Sequence, residues 1–400
     1  MTMLDNYTAF DGYYFQTAAI RNALDYQGVK APHTGNAFSE ALLFGVSGGM
    51  NFGYFYFHYE GYDPMVNILT RNTFNIFEPI LERLGIPYDV KQSTSADKGH
   101  KNLIDALENG EAPIVFADMW TIPYNALDYD EGMWGMMPLV VYGSDDDCVY
   151  IADRARVGLT SPIDKFDEAR SRIKKEKHRI VTLSIPDEAK LASAVSMGIW
   201  DCIKLYTEKP PKGSANNFGF KAYENWIKLL TRDGTKGSWE KTLPRGRELY
   251  AGLTSAFHFS QQFGKDESRT AERHMMADFL EEASLILEKP ELSDISPKFR
   301  AAGEAWKTLG DTLLPDDVPL FKEAKEVMIE KHELFLNEGN QSTATRRELT
   351  QGEEVLKTQS EDFPLSDEEV NQLKQRIAEQ VKVVHDLEHD AIMSLREIMS

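Results

Sequence analysis

The residues able to do chemistry are few and scattered. The chain has two cysteines, Cys148 and Cys202, and nine histidines. Two cysteines are too few for a disulfide framework, and they lack the paired spacing of a zinc site. His58, His100 and His258 lie on separate segments, none with a nucleophile beside it in sequence. The string HDLEH (385–389) fits H-x-x-E-H, and histidines at i and i+4 share a helix face. It falls inside a regular charged helix, so the match reads as accidental and no metal is expected. The glycines of GVSGGMNFG (45–53) have no Gly-Lys-Ser/Thr after them and do not follow a strand, which argues against a nucleotide-phosphate loop. They suit a tight turn that brings the backbone close to a neighbour or ligand. The run RSRIKKEKHR (170–179) carries six Lys or Arg and reads as a solvated helix face. None of these features implies a cofactor.

Composition sets the frame around them. At 400 residues the chain is expected to form about two domains. It is 42% hydrophobic and 27% charged, as folded globular proteins are, and its apolar runs are too short to cross a bilayer. The formal charge of −20 argues against a nucleic-acid partner, because phosphate binding needs basic surface. The start, MTMLDNYTAFDG, lacks a basic n-region and an apolar h-region, so a cytoplasmic location is expected.

The elements that must position any site divide into two styles. The first half alternates apolar runs with helical patterns: helices over 15–26, 39–44, 73–85 and 99–109, and strands over 51–62, 113–118, 137–143, 148–153 and 179–186. The aromatic strand NFGYFYFHYEGY (51–62) suggests the packed wall of a cleft, and SDDD (144–147) suits a tight reversal between two strands. After about residue 187 the period is mostly 3.6, interrupted by KPPKGSANNFG (209–219), a hinge or surface loop. Helices are expected over 246–262, 268–288, 297–309, 317–337, 345–359 and 367–398. Ser366 and Glu369 form a capping box for the last, with Leu365 stapled to Val370. Its stripe, Val370, Leu373, Ile377, Val381, Val384, Leu387, Ala391, Leu395 and Ile398, suits packing within its own domain, the favoured reading, or the seam of a homodimer. The expected division is 1–190 and 191–400.

Two strings carry a resemblance. YYFQTAAIRNAL (13–24) and SEALLFGVSGGMNFGYFYF (39–57) resemble the N-terminal domain of the butirosin biosynthesis protein H family. In that family a helix opens with His-Cys and runs to Arg-Asn, followed by a Ser-Glu-led helix, Phe-Gly, a glycine-rich turn and an aromatic strand. Arg21, Asn22, Ser39, Glu40, Phe44, Gly45, Gly49, Phe52 and Tyr54 match. DMWTIPYN (118–125), MWGMMPLVVYGSDDD (133–147) and YIAD (150–153) resemble later elements. ERHMMADFLEEAS (272–284) and AGEAWKTLG (302–310) resemble the uncharacterised helical domain that usually follows. The resemblance implies an α+β fold: a papain-like cysteine-acyltransferase or peptidase N-terminal domain with a mainly α-helical C-terminal domain, working in secondary metabolism. It also implies transfer of an acyl group from a carrier thioester to an amine through Cys, His and Asp. A thiolate attacks, an imidazole manages protons, and a carboxylate orients the imidazole.

In this alignment Phe15 stands at the cysteine position after Tyr14, Met137 at the histidine position with Met133 at an earlier one, and Asp153 at the carboxylate position. Neither Phe15 nor Met137 ionises or accepts a proton near neutrality. No Cys, Ser or Thr lies between Ala9 and Gln16, and no His between residues 101 and 177; Thr17, the nearest hydroxyl, shows no base partner. One reading is therefore a pseudoenzyme that leans away from catalysis and binds a small apolar or acyl ligand, or a partner such as an acyl-carrier protein. Phe15, Glu40, Asn51, Tyr54, Asp118, Met133 and Met137 would line its cleft, with Met136 beside them. The alternative is an active acyltransferase or amide hydrolase with a relocated site drawn from Tyr14, Glu40, Asp118, Cys148 and Asp153.

Overall fold

The computed structural model of the chain describes residues 1–261 and 267–400. In chain order the elements are β1 (Thr2–Met3), α1 (Phe15–Tyr26), α2 (Glu40–Val46), β2 (Met50–Phe57), β3 (Met65–Arg71), α3 (Phe77–Arg83), β4 (Tyr88–Lys91), α4 (Ala96–Glu108), β5 (Ile114–Asp118), β6 (Met136–Ser144), β7 (Cys148–Ala152), β8 (Leu159–Pro162), α5 (Ile163–Arg172) and β9 (Ile180–Leu183). The helices that follow are α6 (Leu191–Thr207), α7 (Gly219–Thr231), α8 (Trp239–Thr242), α9 (Arg247–Gln261), α10 (Arg273–Ile286), α11 (Glu291–Asp294), α12 (Ser296–Leu313), α13 (Pro319–Glu338), α14 (Thr343–Gln359) and α15 (Asp367–Met399). The protein is thus mixed α and β with a helical C-terminal region. Of the helix expected over 246–262, residue 262 lies outside the described residues.

Two compact units form, and they are interleaved along the chain, where the sequence reading places one boundary near 190. The first takes residues 1–43, 76–191 and 331–350; the second takes 44–75, 192–330 and 351–400.

The first unit is built on an antiparallel sheet of order β4-β9-β5-β6-β7-β8, with β1 added to the β5 side of β6. Every residue of β5 is buried, as its unbroken apolar run IVFA requires, with α1 and α5 packed on it. The turn after β6 is made by Asp145, whose Oδ1 accepts from the amides of Asp147 (2.9 Å) and Cys148 (2.8 Å). The basic run splits in two. Arg170, Arg172 and Arg179 turn inward, and only Lys174, Lys175 and Lys177 make the solvated face the sequence suggests. Arg170 donates to the carbonyls of Gly99 and His178, and Arg179 pairs with Glu78 at 3.0 Å.

The second unit packs the β2–β3 hairpin on helices α7 and α9. Its aromatic strand, expected as a cleft wall, packs Phe52 on Tyr223 at 3.6 Å between ring centroids and Tyr54 on Trp226 at 5.5 Å. The glycine-rich turn before it has Gly48 at φ +106 and Gly49 at φ +61, and a Cβ on Gly45 would lie 2.1 Å from the Phe279 ring, so both turn and close approach require glycine. Helix α15 carries the capping box of Ser366 and Glu369 and lays its stripe on α7 and α12. The stripe differs from expectation at two positions: Leu387 and Ile398 are only half-buried, and Glu388 is fully buried beside the first. Among the described residues, no helix is long and apolar enough to cross a membrane.

Candidate functional site

The first unit holds Tyr14, Phe15, Met137 and Asp153, the residues that the resemblance sets at catalytic positions, beginning at the N-terminus of α1. Tyr14 is the extended N-cap of that helix and Phe15 its first residue, and neither offers a capping oxygen. The cap comes instead from Glu40. Its Oε2 accepts from the Tyr13 amide at 2.7 Å, and its Oε1 from the Tyr14 amide at 2.9 Å and the Thr17 hydroxyl at 2.5 Å. Gly12 permits this approach, since a Cβ there would sit 2.2 Å from that of Ala18. Ser39 meanwhile caps α2, accepting from the Leu42 amide at 2.9 Å. The adjacent Ser-Glu pair therefore caps two helices, and the partner the sequence did not show for Thr17 is Glu40. A carboxylate is too weak a base to ionise an alcohol, and Thr17 is fully buried, so this contact is a cap.

Helix α1 packs on β6, which carries Met137. Met137 is fully buried, with Asn125 Nδ2 at 3.8 Å from its sulfur. Asp153 follows β7 and is buried; its Oδ2 accepts from Tyr124 Oη at 3.2 Å, and both its oxygens accept from Arg154, at 3.1 Å from Nε and 3.2 Å from Nη2. The Arg154 guanidinium lies 3.9 Å from the Phe15 ring centroid and 5.0 Å from that of Phe335. Such stacking is worth roughly 0.5–2 kcal/mol and fixes the plane of the guanidinium. The carboxylate that would orient an imidazole is therefore held by a phenol and a guanidinium, the latter stacked on Phe15. Burial and the Asp153 charge push the Tyr124 phenol far above its usual range, so it stays a donor.

The other expected residues divide by unit. Asp118, at the end of β5, is fully buried and accepts from Thr121 Oγ1 (2.7 Å) and the Gly135 amide (2.8 Å), with Arg172 Nη1 at 3.3 Å. Arg172 also donates to the carbonyls of Asp130 (3.0 Å), Glu131 (3.2 Å) and Met133 (2.7 Å). Asp118 and Arg172 thus clasp the segment leading into β6, and Met133 takes part through its backbone. Cys148 is half-buried at the turn, where burial and then Asp145 and Asp147 raise its thiol above the ordinary value. Asn51 and Tyr54 belong to the second unit. Asn51 is fully buried, and Tyr54 accepts from Trp239 Nε1 at 2.8 Å.

The second unit has a buried charge centre that the sequence reading missed. Glu388 Oε1 accepts from Arg273 Nε (2.6 Å) and Trp306 Nε1 (2.7 Å), and its Oε2 from Tyr206 Oη (2.6 Å) and Tyr223 Oη (2.7 Å). Arg273 also donates to the carbonyls of Thr70 (2.7 Å), Ala271 (2.5 Å) and Asn51 (3.0 Å). The glutamate of HDLEH is thus turned inward. His385 is half-buried with Nδ1 2.9 Å from Asp386, and His389 is exposed. Among the described residues no group of three His, Cys, Asp or Glu is arranged to hold a metal. The available signal was the register of α15, which puts Glu388 four residues after buried Val384.

The geometry defines an α/β domain whose site lies where a helix N-terminus meets the central strands of an antiparallel sheet. Residues 15–154 match the family model described as Butirosin biosynthesis protein H, N-terminal. The match opens on Phe15 and closes on Arg154, the two side chains stacked on each other. The C-terminal helices, with β1, β8 and β9, lie outside it. No curated protein matches the chain.

Proposed function

We propose that the chain is a non-catalytic member of the butirosin biosynthesis protein H family, a papain-like acyltransferase scaffold kept as a binding protein for a small ligand or a partner. The observation that carries this is the state of the three aligned positions. Phe15 opens α1, Met137 is buried on β6, and Asp153 is hydrogen-bonded by Arg154 and Tyr124. No thiolate or imidazole is present there, and losing both members of such a unit removes its mechanism. The relocated-site alternative gains no support from the geometry. The Asp118 and Glu40 oxygens are engaged by the donors described above, and the Cys148 thiol is shifted away from thiolate. The test is intact mass and thiol release after incubation with a simple acyl thioester. The natural protein is expected to show neither an adduct nor release above buffer. Catalytic turnover abolished by Asp118→Asn, Glu40→Gln or Cys148→Ala would overturn the reading.

A further inference from the structure

We propose that the first unit carries a binding site for a small carboxylate with a flat apolar body, centred on the Arg154 guanidinium beside Phe15; this deepens, and rests on, the non-catalytic reading. Arg154 and Arg346 approach the same ring, their guanidinium carbons 5.0 Å and 5.3 Å from the Phe335 centroid. Among the described residues, Asp153 is the one carboxylate ion-paired with either of them. Arg346 gives its hydrogens to neutral acceptors: the carbonyls of Tyr124 (2.7 Å) and Gly339 (2.9 Å) and the Ser342 hydroxyl (3.0 Å). Burial, with Arg154 and Arg347 nearby, lowers its pKa to about 10, which still leaves it charged at neutral pH. Two guanidiniums against one carboxylate leave a positive centre in a chain of net charge −20.

The geometry selects the ligand. Asp153 takes Nε and Nη2 of Arg154, Nη1 makes no hydrogen bond among the described residues, and the side chain is 19% exposed. The Phe15 ring at 3.9 Å and the two hydrogen bonds to Asp153 restrain the guanidinium, so less freedom is lost when the remaining edge takes a ligand. Phe15 is itself half-exposed and offers an aromatic face next to that edge. The Glu40 carboxylate does not compete for it, being engaged by two amides and a hydroxyl. One open guanidinium edge, flat and paired, suits a planar carboxylate better than a phosphate.

The test uses the full chain at constant ionic strength, with calorimetry and thermal shift comparing benzoate, the neutral isostere benzamide and inorganic phosphate. Benzoate is expected to bind about tenfold tighter than benzamide, the scale of a charge-assisted hydrogen bond, and tighter than phosphate. Arg154→Met should erase the preference for benzoate over benzamide, and Arg154→Lys should keep part of it. Equal affinities of the natural protein for benzoate and benzamide, or tighter binding of phosphate, would sink the proposal without any variant having to fold. A preference that survives Arg154→Met would do the same. Thioester turnover is measured separately: turnover with carboxylate binding intact removes the non-catalytic reading, and no turnover with no carboxylate preference removes this inference alone.

Discussion

Removing the Arg273–Glu388 pair tests whether the second unit depends on it as an ion pair or as a hub. Arg273→Met leaves a fully buried carboxylate without its cation, a change that costs about 3–5 kcal/mol. For an isolated buried pair, replacing both partners with apolar side chains of similar volume is often neutral or stabilising. The geometry predicts the opposite here. Trp306, Tyr206 and Tyr223 donate to Glu388, and the carbonyls of Thr70, Ala271 and Asn51 accept from Arg273. Arg273→Met/Glu388→Met would strand these six buried groups, each at about 1–3 kcal/mol before relaxation. The double variant is therefore expected to be no more stable than either single one. The assay is urea unfolding followed by tryptophan fluorescence, since Trp200, Trp226, Trp239 and Trp306 all lie in this unit. A double variant as stable as the natural chain would refute the hub reasoning and reduce the centre to a simple ion pair.

The Asp118–Arg172 clasp predicts that Asp118→Ala speeds proteolytic cleavage within residues 126–135 several-fold, with the first cut mapped by mass spectrometry; an unchanged cleavage pattern would show that the segment is held elsewhere. Burial raises the Glu272 carboxyl to about 8, opposed by the Arg273 charge, against a usual 4.5. Between those values the folded state binds the extra proton, so this contribution is full below about pH 4.5, falls by up to roughly 1.4 kcal/mol per pH unit, and is gone above about pH 8. Glu272→Gln should flatten the loss of stability between pH 5 and 8, measured as urea midpoints, and an unaltered slope would contradict it. At pH 7 Cys148 should react with iodoacetamide more slowly than a free thiol, and Asp147→Asn should speed it a few-fold. Equal rates in the two proteins would remove the electrostatic explanation.

The long helices were legible because their stripes and caps are local: the Ser366–Glu369 box and the 3.6 period place α15 to within a residue. β3, β4 and β8 were not, since a segment of four to seven residues is too short for its periodicity to stand out in sequence. The Ser39-Glu40 motif was visible as a string, but its two caps act on helices whose starts lie far apart in sequence, and no local rule reveals that. Glu388 and Arg273 were hidden for a related reason. A charge on an apolar stripe reads as surface until its partner, 115 residues away, is known.

On the non-catalytic reading proposed above, the placement of Arg154 sets what restoring catalysis would require. Phe15→Cys would put a thiol at the first position of α1, where the helix N-terminus favours thiolate, and Met137→His would supply a ring on β6. A new imidazole would still find Asp153 taken, both its oxygens accepting from Arg154 and one also from Tyr124. Without a carboxylate to fix its tautomer, a catalytic imidazole loses up to about 10⁴-fold in rate in the serine protease case. Phe15→Cys/Met137→His alone is therefore expected to acylate slowly, and adding Arg154→Ala should raise the rate of acyl-adduct formation more than tenfold. The measurement is intact-mass labelling by a simple acyl thioester over time. A triple variant no faster than the double one would mean that Arg154 does not stand between Asp153 and the base, and that the alignment of Met137 with the family's histidine position is wrong.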